Sequence, residues 1–300
     1  MKKEAFKVFN DEALGRIFMP DGLSYEEYPA ECISPFHGRA VALKIAEHQW
    51  ISVKGGGWNY GGPHIYSSKK DAELIFGLYP LSSAERELEV SRKIEEVSDC
   101  FPRVLYYKRF CDFELPSKYD FLKAIKFSNG EPVTPCLLYT QLKIPYRVAD
   151  LLYITGKRRS DIIKSCSAYW KISTADYTNE FTRQLAKHVA ILHKNRFIND
   201  TLDYGNVTML AEVVDYEWVT APEIKLFDGT YGLEITEERK EKEILYGAEI
   251  CLQLKAVLHE PFNLFDTYRE FVEAYSEINP QFIKENERIQ KMLKKEEFII

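Results

Sequence analysis

The 300-residue chain has no C-x-x-C pair, no apolar run long enough to span a bilayer and no excess of positive charge. Each absence excludes a class of protein. The six cysteines (Cys32, Cys100, Cys111, Cys136, Cys166 and Cys251) are scattered, which argues for reduced, buried thiols in a cytoplasmic protein. Without a long apolar run or a signal-like N-terminal segment, no membrane partner is expected. A net charge of -6 gives no electrostatic basis for general nucleic-acid binding. Several catalytic signatures are missing too. The histidines form no H-E-x-x-H pair, and His188 and His193 lie five apart, off a common helical face. There is no G-x-S-x-G elbow and no G-x-x-x-x-G-K-[ST] loop.

What is present suits a soluble globular protein. Hydrophobic residues make up 45% and charged residues 29%, enough for a sizeable core in one large domain or two lobes. Residues 36–54 predict two strands. Val41–Ile45 and the alternating Trp50–Lys54 flank a polar turn at Glu47-His48-Gln49. A glycine-rich run follows at 55–63. The spacing of Leu88, Ser91, Arg92 and Glu95 predicts a helix over 83–97, with Ser82 or Ser83 as N-cap. Short strands are expected at 104–107 and 136–139, and a hinge after Tyr139. A long helix is expected over 176–194, with Phe181, Leu185, Val189 and Leu192 on its buried face. Further helices are expected over 237–257, 264–277 and 280–296, the last a solvated surface helix. Pro20-Asp21-Gly22 marks a turn, in a first stretch of mixed character.

The residues suited to chemistry fall in three groups. Lys54 ends a strand, where a steadied ammonium can reach nucleotide phosphates, and the following helix offers Glu85, Glu87 and Glu89 to steady it. Gly55, Gly56 and Gly57 allow a close backbone approach, although a flexible loop has the same composition. Asp200, Asp203, Asn206 and Asp215 form the third group. An amide oxygen from Asn206 and a carboxylate from Asp215, across a short hairpin, are the hard ligands Mg2+ takes beside phosphate oxygens. Asp203 or Asp200 would orient an acceptor hydroxyl or take its proton. Asn and Asp are also ordinary turn formers after a helix. What favours chemistry is their order: strand lysine, helix glutamate, hinge, long helix, asparagine loop, aspartate.

Several blocks resemble the selenoprotein-O family. These are His37-Gly38-Arg39-Ala40, Trp50 through Lys54-Gly55-Gly56-Gly57, Ser83 through Ser91, and Asn206-Val207-Thr208-Met209-Leu210 through Val214-Asp215-Tyr216. The resemblance implies an α+β, two-lobed protein-kinase-like fold, with a strand-rich N-lobe over 1–139 and a helical C-lobe over 140–300. It implies that Glu87 pairs with Lys54, and that ATP is used with Mg2+ or Mn2+ to move AMP onto a protein hydroxyl. Arg147 would hold the outer phosphate of the nucleotide. The chain departs from the pattern in having Gly205 where the family has an aspartate base, and Gln141 in place of a first arginine. These departures motivate a pseudokinase alternative that binds nucleotide without catalysis. A second likeness is to the aminoglycoside- and choline-kinase-type phosphotransferases. It rests on Leu192-His193, Asn199-Asp200, Gly205-Asn206-Val207 and Asp215-Tyr216-Glu217. It implies γ-phosphoryl transfer to a small-molecule hydroxyl, with Asp200 as base.

Overall fold

A computed structural model describes residues 4–11, 15–20, 30–31, 40–55, 57–58, 79–109, 113–114, 132, 134–224 and 234–294. The chain divides into two compact units. One holds residues 1–92 and 102–146, the other residues 93–101 and 147–300. The first is rich in strands and the second in helices, so the α+β class holds. The break stands between Tyr146 and Arg147, because the strand that contains Tyr139 continues to Leu142. His37, Gly38, Arg39 and Gly56 lie outside the described residues.

The N-terminal unit has a six-stranded sheet built around β10 (Pro135–Leu142). Cys136, Leu137, Leu138 and Tyr139 are fully buried, which explains why this strand is apolar on both faces. Antiparallel to β10 run β5 (Gln49–Lys54), β8 (Arg103–Arg109) and, at its start, the short β7 (Tyr79–Pro80). Beyond β5 lie β4 (Ala40–Ala46) and β3 (Ala30–Glu31). The β4–β5 hairpin turns at Glu47-His48, with His48 at a φ of 53°. Tyr139 and Tyr106 face each other across β10 and β8 with ring centroids 4.5 Å apart, a stacked cross-strand pair.

The mixed first stretch instead forms strands. β1 (Glu4–Asp11) and β2 (Gly15–Pro20) make an antiparallel hairpin, extended by β6 (Gly57–Trp58) and by β9 (Phe113–Glu114) parallel to β1. Pro20 closes β2.

Helix α1 spans Leu81–Glu95, so Ser82 and Ser83 lie in its first turn and do not cap it. Its buried residues are Ser83, Ala84, Arg86, Glu87, Val90, Ser91 and Ile94, while Arg92 is exposed. The expected face is therefore rotated. Polar residues occupy the inner face because they have partners there: Ser91 Oγ accepts from Val104 N at 2.9 Å, joining α1 to β8.

In the C-terminal unit, α2 (Gly156–Trp170), which the sequence pattern did not suggest, precedes the long α3 (Tyr177–Lys194). Phe181, Leu185, Val189 and Leu192 are fully buried, as the periodicity predicts. α3 packs against α4 (Glu237–Val257) and α5 (Leu264–Ser276). α4 and α5 cross closely at Gly247, where a Cβ would stand 2.3 Å from Phe271 Cζ. The expected last helix is two, α6 (Pro280–Glu285) and α7 (Glu287–Leu293). Asn286 breaks it by taking an extended conformation and capping α7, its side chain accepting from Ile289 N at 2.9 Å. The face is not wholly solvated either, because Ile283 and Ile289 are buried. A two-stranded ladder of β11 (Ile198–Asn199) and β12 (Val219–Thr220) brackets the loop that follows α3.

Candidate functional site

The candidate residues are distributed over both units. In the N-terminal unit, Lys54 ends β5 and is 8% exposed. Its Nζ lies 2.5 Å from Glu87 Oε1. Tyr79 on β7 donates its hydroxyl to the same carboxylate oxygen, and its ring centroid is 4.4 Å from the ammonium. Of the three glutamates offered by α1, Glu87 is the buried one; Glu85 and Glu89 are exposed. Gly55 is buried with a φ of 85°, and a Cβ there would meet Cys136 O at 2.4 Å. Glycine is thus required for the close approach of the chain to β10. Gly57 pairs with Ile17 through the backbone of β6. Cys136 has its thiol pKa pushed up, first by burial and then by the Glu87 and Glu85 charges, with Lys54 opposing them.

In the C-terminal unit the loop after β11 folds back on residues 147–149. Val148 N donates to Val207 O and Ala149 N to Tyr204 O. Val207 bridges Val213, and Val214 N donates to Asn206 O, so a tight hairpin brings Asp215 back towards Asn206. Asp215 has a φ of 68°, a left-handed conformation that Asp tolerates better than most residues. The next turn carries Glu217, and carboxylate oxygens of Asp215 and Glu217 lie within 4.8 Å of each other. Glu217 was visible only as the end of the Asp-x-Glu pattern.

Arg147 decides the character of this loop. Its NH1 donates to Gly205 O at 2.5 Å and to Asn206 Oδ1 at 3.3 Å, and lies 3.9 Å from Asp215 Oδ2. The amide orientation of Asn206 follows from the network, because its Nδ2 donates to Thr201 O at 2.9 Å. Of the two oxygens expected to hold a metal, that of Asn206 therefore accepts from one guanidinium nitrogen and that of Asp215 lies at ion-pair distance from it. Their chemistry suits Mg2+. With Arg147 in place they do not fit a bare divalent ion, which would stand against a fixed positive charge. Arg147 itself, expected on a nucleotide phosphate, is engaged by the loop.

The two candidate bases differ sharply. Asp200 is held by Arg239 of α4, whose NH2 lies 2.5 Å from Oδ2 and 2.6 Å from Oδ1. Thr220 Oγ1 adds a bond to Oδ2 at 3.2 Å. This bidentate clamp is a structural use of the carboxylate. Asp203 is exposed as a residue, but its carboxyl lies against the loop backbone, where Gly205 N donates to Oδ1 at 2.6 Å. Burial of the carboxyl raises its pKa. Backbone N–H groups of Gly205 and Asn206 and the Arg147 charge oppose the rise, and Asp215 adds to it. A Cβ at Gly205 would come within 2.9 Å of that same Oδ1. The glycine thus makes room for the Asp203 carboxyl. Asp200 and Asp203 also line a cavity of about 310 Å3 with Tyr204, Tyr246 and Glu249.

His193 is a buried helix-end residue. Its Nε2 is 2.6 Å from Glu243 Oε2 and its Nδ1 2.8 Å from Tyr275 OH. Glu243 Oε1 accepts from Asn199 N at 2.8 Å, which fixes the start of the loop.

No protein-family model matches the chain, and no curated protein matches it. Among solved structures it is similar to ROP2 from Toxoplasma gondii, described as a virulence factor with a protein-kinase fold and no enzymatic activity. The identity is 10%, the coverage 98% of this chain and 86% of that one, and the TM-score 0.42. At that level nothing of the other protein's activity or inactivity carries over. No helix among the described residues is long and apolar enough to cross a membrane.

Proposed function

We propose that the chain binds ATP in the manner of a kinase-like fold and transfers part of it, AMP in the first place, to a hydroxyl acceptor on a protein. The observation that carries this reading is the buried Lys54–Glu87 pair. Burying two charges costs several kcal/mol per ion, and removing one partner alone destabilises by a separate ~3–5 kcal/mol. A strand lysine steadied by a helix glutamate is the arrangement that grips nucleotide phosphates. AMP as the transferred group rests on the selenoprotein-O resemblance. Asp203 is the better candidate base, with a raised pKa and a carboxyl beside a cavity that can admit an acceptor. γ-Phosphoryl transfer is the alternative, and it rests on the likeness to the aminoglycoside- and choline-kinase-type phosphotransferases.

A second reading, nucleotide binding without transfer, is favoured by Arg147 on Asn206 and Asp215. One assay separates them. The protein is incubated with ATP labelled at the α- or the γ-phosphate, with and without Mg2+ or Mn2+, and with a lysate. Protein label from the α-position alone supports AMP transfer, and label from the γ-position alone supports a kinase. Bound nucleotide without label supports the binding module. Lys54→Met should abolish binding, and a variant that binds ATP unchanged would sink the assignment. Asp203→Asn should keep binding and lose any transfer.

A further inference from the structure

Arg147 is anchored before its side chain begins. Its N donates to Asp150 Oδ2 at 2.7 Å, and its backbone bridges Thr208. The side chain, 13% exposed, then places NH1 among three oxygens: Gly205 O, Asn206 Oδ1 and Asp215 Oδ2. A guanidinium keeps its proton at any relevant pH, so it can leave this place only by swinging away. Two hydrogen bonds resist that movement, and the Asp215 carboxylate stands at ion-pair distance, 3.9 Å away. We propose that Arg147 is the resident cation of this loop: it fills the place a divalent metal would take between Asn206 and Asp215, so the free protein binds no divalent ion there and takes nucleotide phosphate without one. The nucleotide half of the proposal rests on the function proposed above, while the metal half stands by itself.

The test begins with Mn2+ alone and the full chain, titrated by electron paramagnetic resonance. The wild-type protein should show no Mn2+ site that Asp215→Asn removes. Arg147→Gln should gain one, with affinity at least about tenfold above wild type, the scale of one lost charge-assisted contact. Adding Asp215→Asn to that variant should remove it. Wild-type Mn2+ binding that Asp215→Asn abolishes would overturn the proposal, and this comparison stands even where Arg147→Gln does not fold. A folded Arg147→Gln protein with no new site would overturn it equally. A non-hydrolysable ATP analogue is then titrated with and without EDTA. Affinity unchanged by EDTA supports metal-free phosphate binding, and affinity lost in EDTA overturns it. Failure of the analogue to bind at all removes the proposed function and the nucleotide half with it, and leaves the Mn2+ result to decide the metal half.

Discussion

Lys54–Glu87 in the N-terminal unit and His193–Glu243 in the C-terminal unit are both buried pairs of a basic and an acidic side chain, and each has a tyrosine hydroxyl as third member. They differ in what surrounds them. His193 and Glu243 have side chains 1% and 3% exposed, and the second carboxylate oxygen of Glu243 is spent on the Asn199 backbone. Asn279 extends the network from Tyr275 OH to Ala190 O. That pair ties α3, α4, α5 and the loop entrance together. Lys54 keeps 11% of its side chain accessible at the end of a strand, next to a glycine-rich run. A pair closed on every side serves stability. A pair that keeps part of its lysine side chain accessible can meet a ligand.

The comparison is broken hardest by removing one member of the closed pair. Glu243→Ala should cost ~3–5 kcal/mol, because His193 and the Asn199 N–H lose their partner together. Urea unfolding measures this. A loss below about 1 kcal/mol would mean that the network contributes little. ATP affinity of the folded protein at low denaturant should stay within about twofold of wild type, a change well under 1 kcal/mol. The opposite pattern is expected from Lys54→Met with Glu87→Leu. Replacing both members of a buried ion pair by apolar side chains is often neutral or stabilising by ~1–4 kcal/mol. ATP affinity should nevertheless fall at least about tenfold, or 1.4 kcal/mol. If stability falls and affinity holds, the pair is structural and the proposed function loses its support.

The third members sharpen the distinction. Tyr275→Phe leaves a His193 ring nitrogen without the 2.8 Å partner in a buried place, so a loss of ~1–3 kcal/mol is expected in the same unfolding measurement. Tyr79→Phe also leaves a buried group with one bond fewer, but Glu87 retains Lys54. Its effect on stability should be the smaller of the two. A larger loss from Tyr79→Phe would reverse the assignment of roles.

Much of this was legible in the sequence, and the reasons are local. The face of α3 follows from a plain 3.6-residue period of Phe181, Leu185, Val189 and Leu192. The β4–β5 hairpin follows from alternation on either side of a polar turn. The face of α1 is rotated from the Leu88, Ser91, Arg92 and Glu95 spacing because its inner positions also carry the polar Ser83 and Glu87. Only a partner on another element makes such a residue an inner one. The choice between Asp200 and Asp203 depends on Arg239, 39 residues beyond Asp200, and the role of Arg147 on Asn206, 59 residues beyond it. No local pattern encodes a contact at that separation. Gly205 could be read as a missing base. In three dimensions it is also the space into which the Asp203 carboxyl fits.

The smallest expected effect extends the comparison to two acids, Glu243 and Asp203, whose pKa values are both raised first by burial. Glu243 faces a basic partner, whereas Asp203 is held chiefly by backbone N–H groups, which makes its titration the simpler one to isolate. A carboxyl whose pKa is higher in the folded state binds its proton more tightly there than in the unfolded chain. Its contribution to stability is fully present below the ordinary carboxylate value of 3.8 and is lost as pH rises through the raised value. Asp203→Asn removes that titration. It keeps a side-chain oxygen for Gly205 N, so the turn itself survives. Measured against wild type from about pH 3 to about pH 7, the variant should gain relative stability as pH rises, with the change concentrated just above the ordinary carboxylate range. A difference that moves against the variant as pH rises would show that the Asp203 carboxyl is stabilised as the anion, and a flat one would show that folding leaves its pKa unshifted. The backbone N–H groups and Arg147 would outweigh burial in the first case and cancel it in the second, and in either Asp203 would lose the property that recommends it as a base.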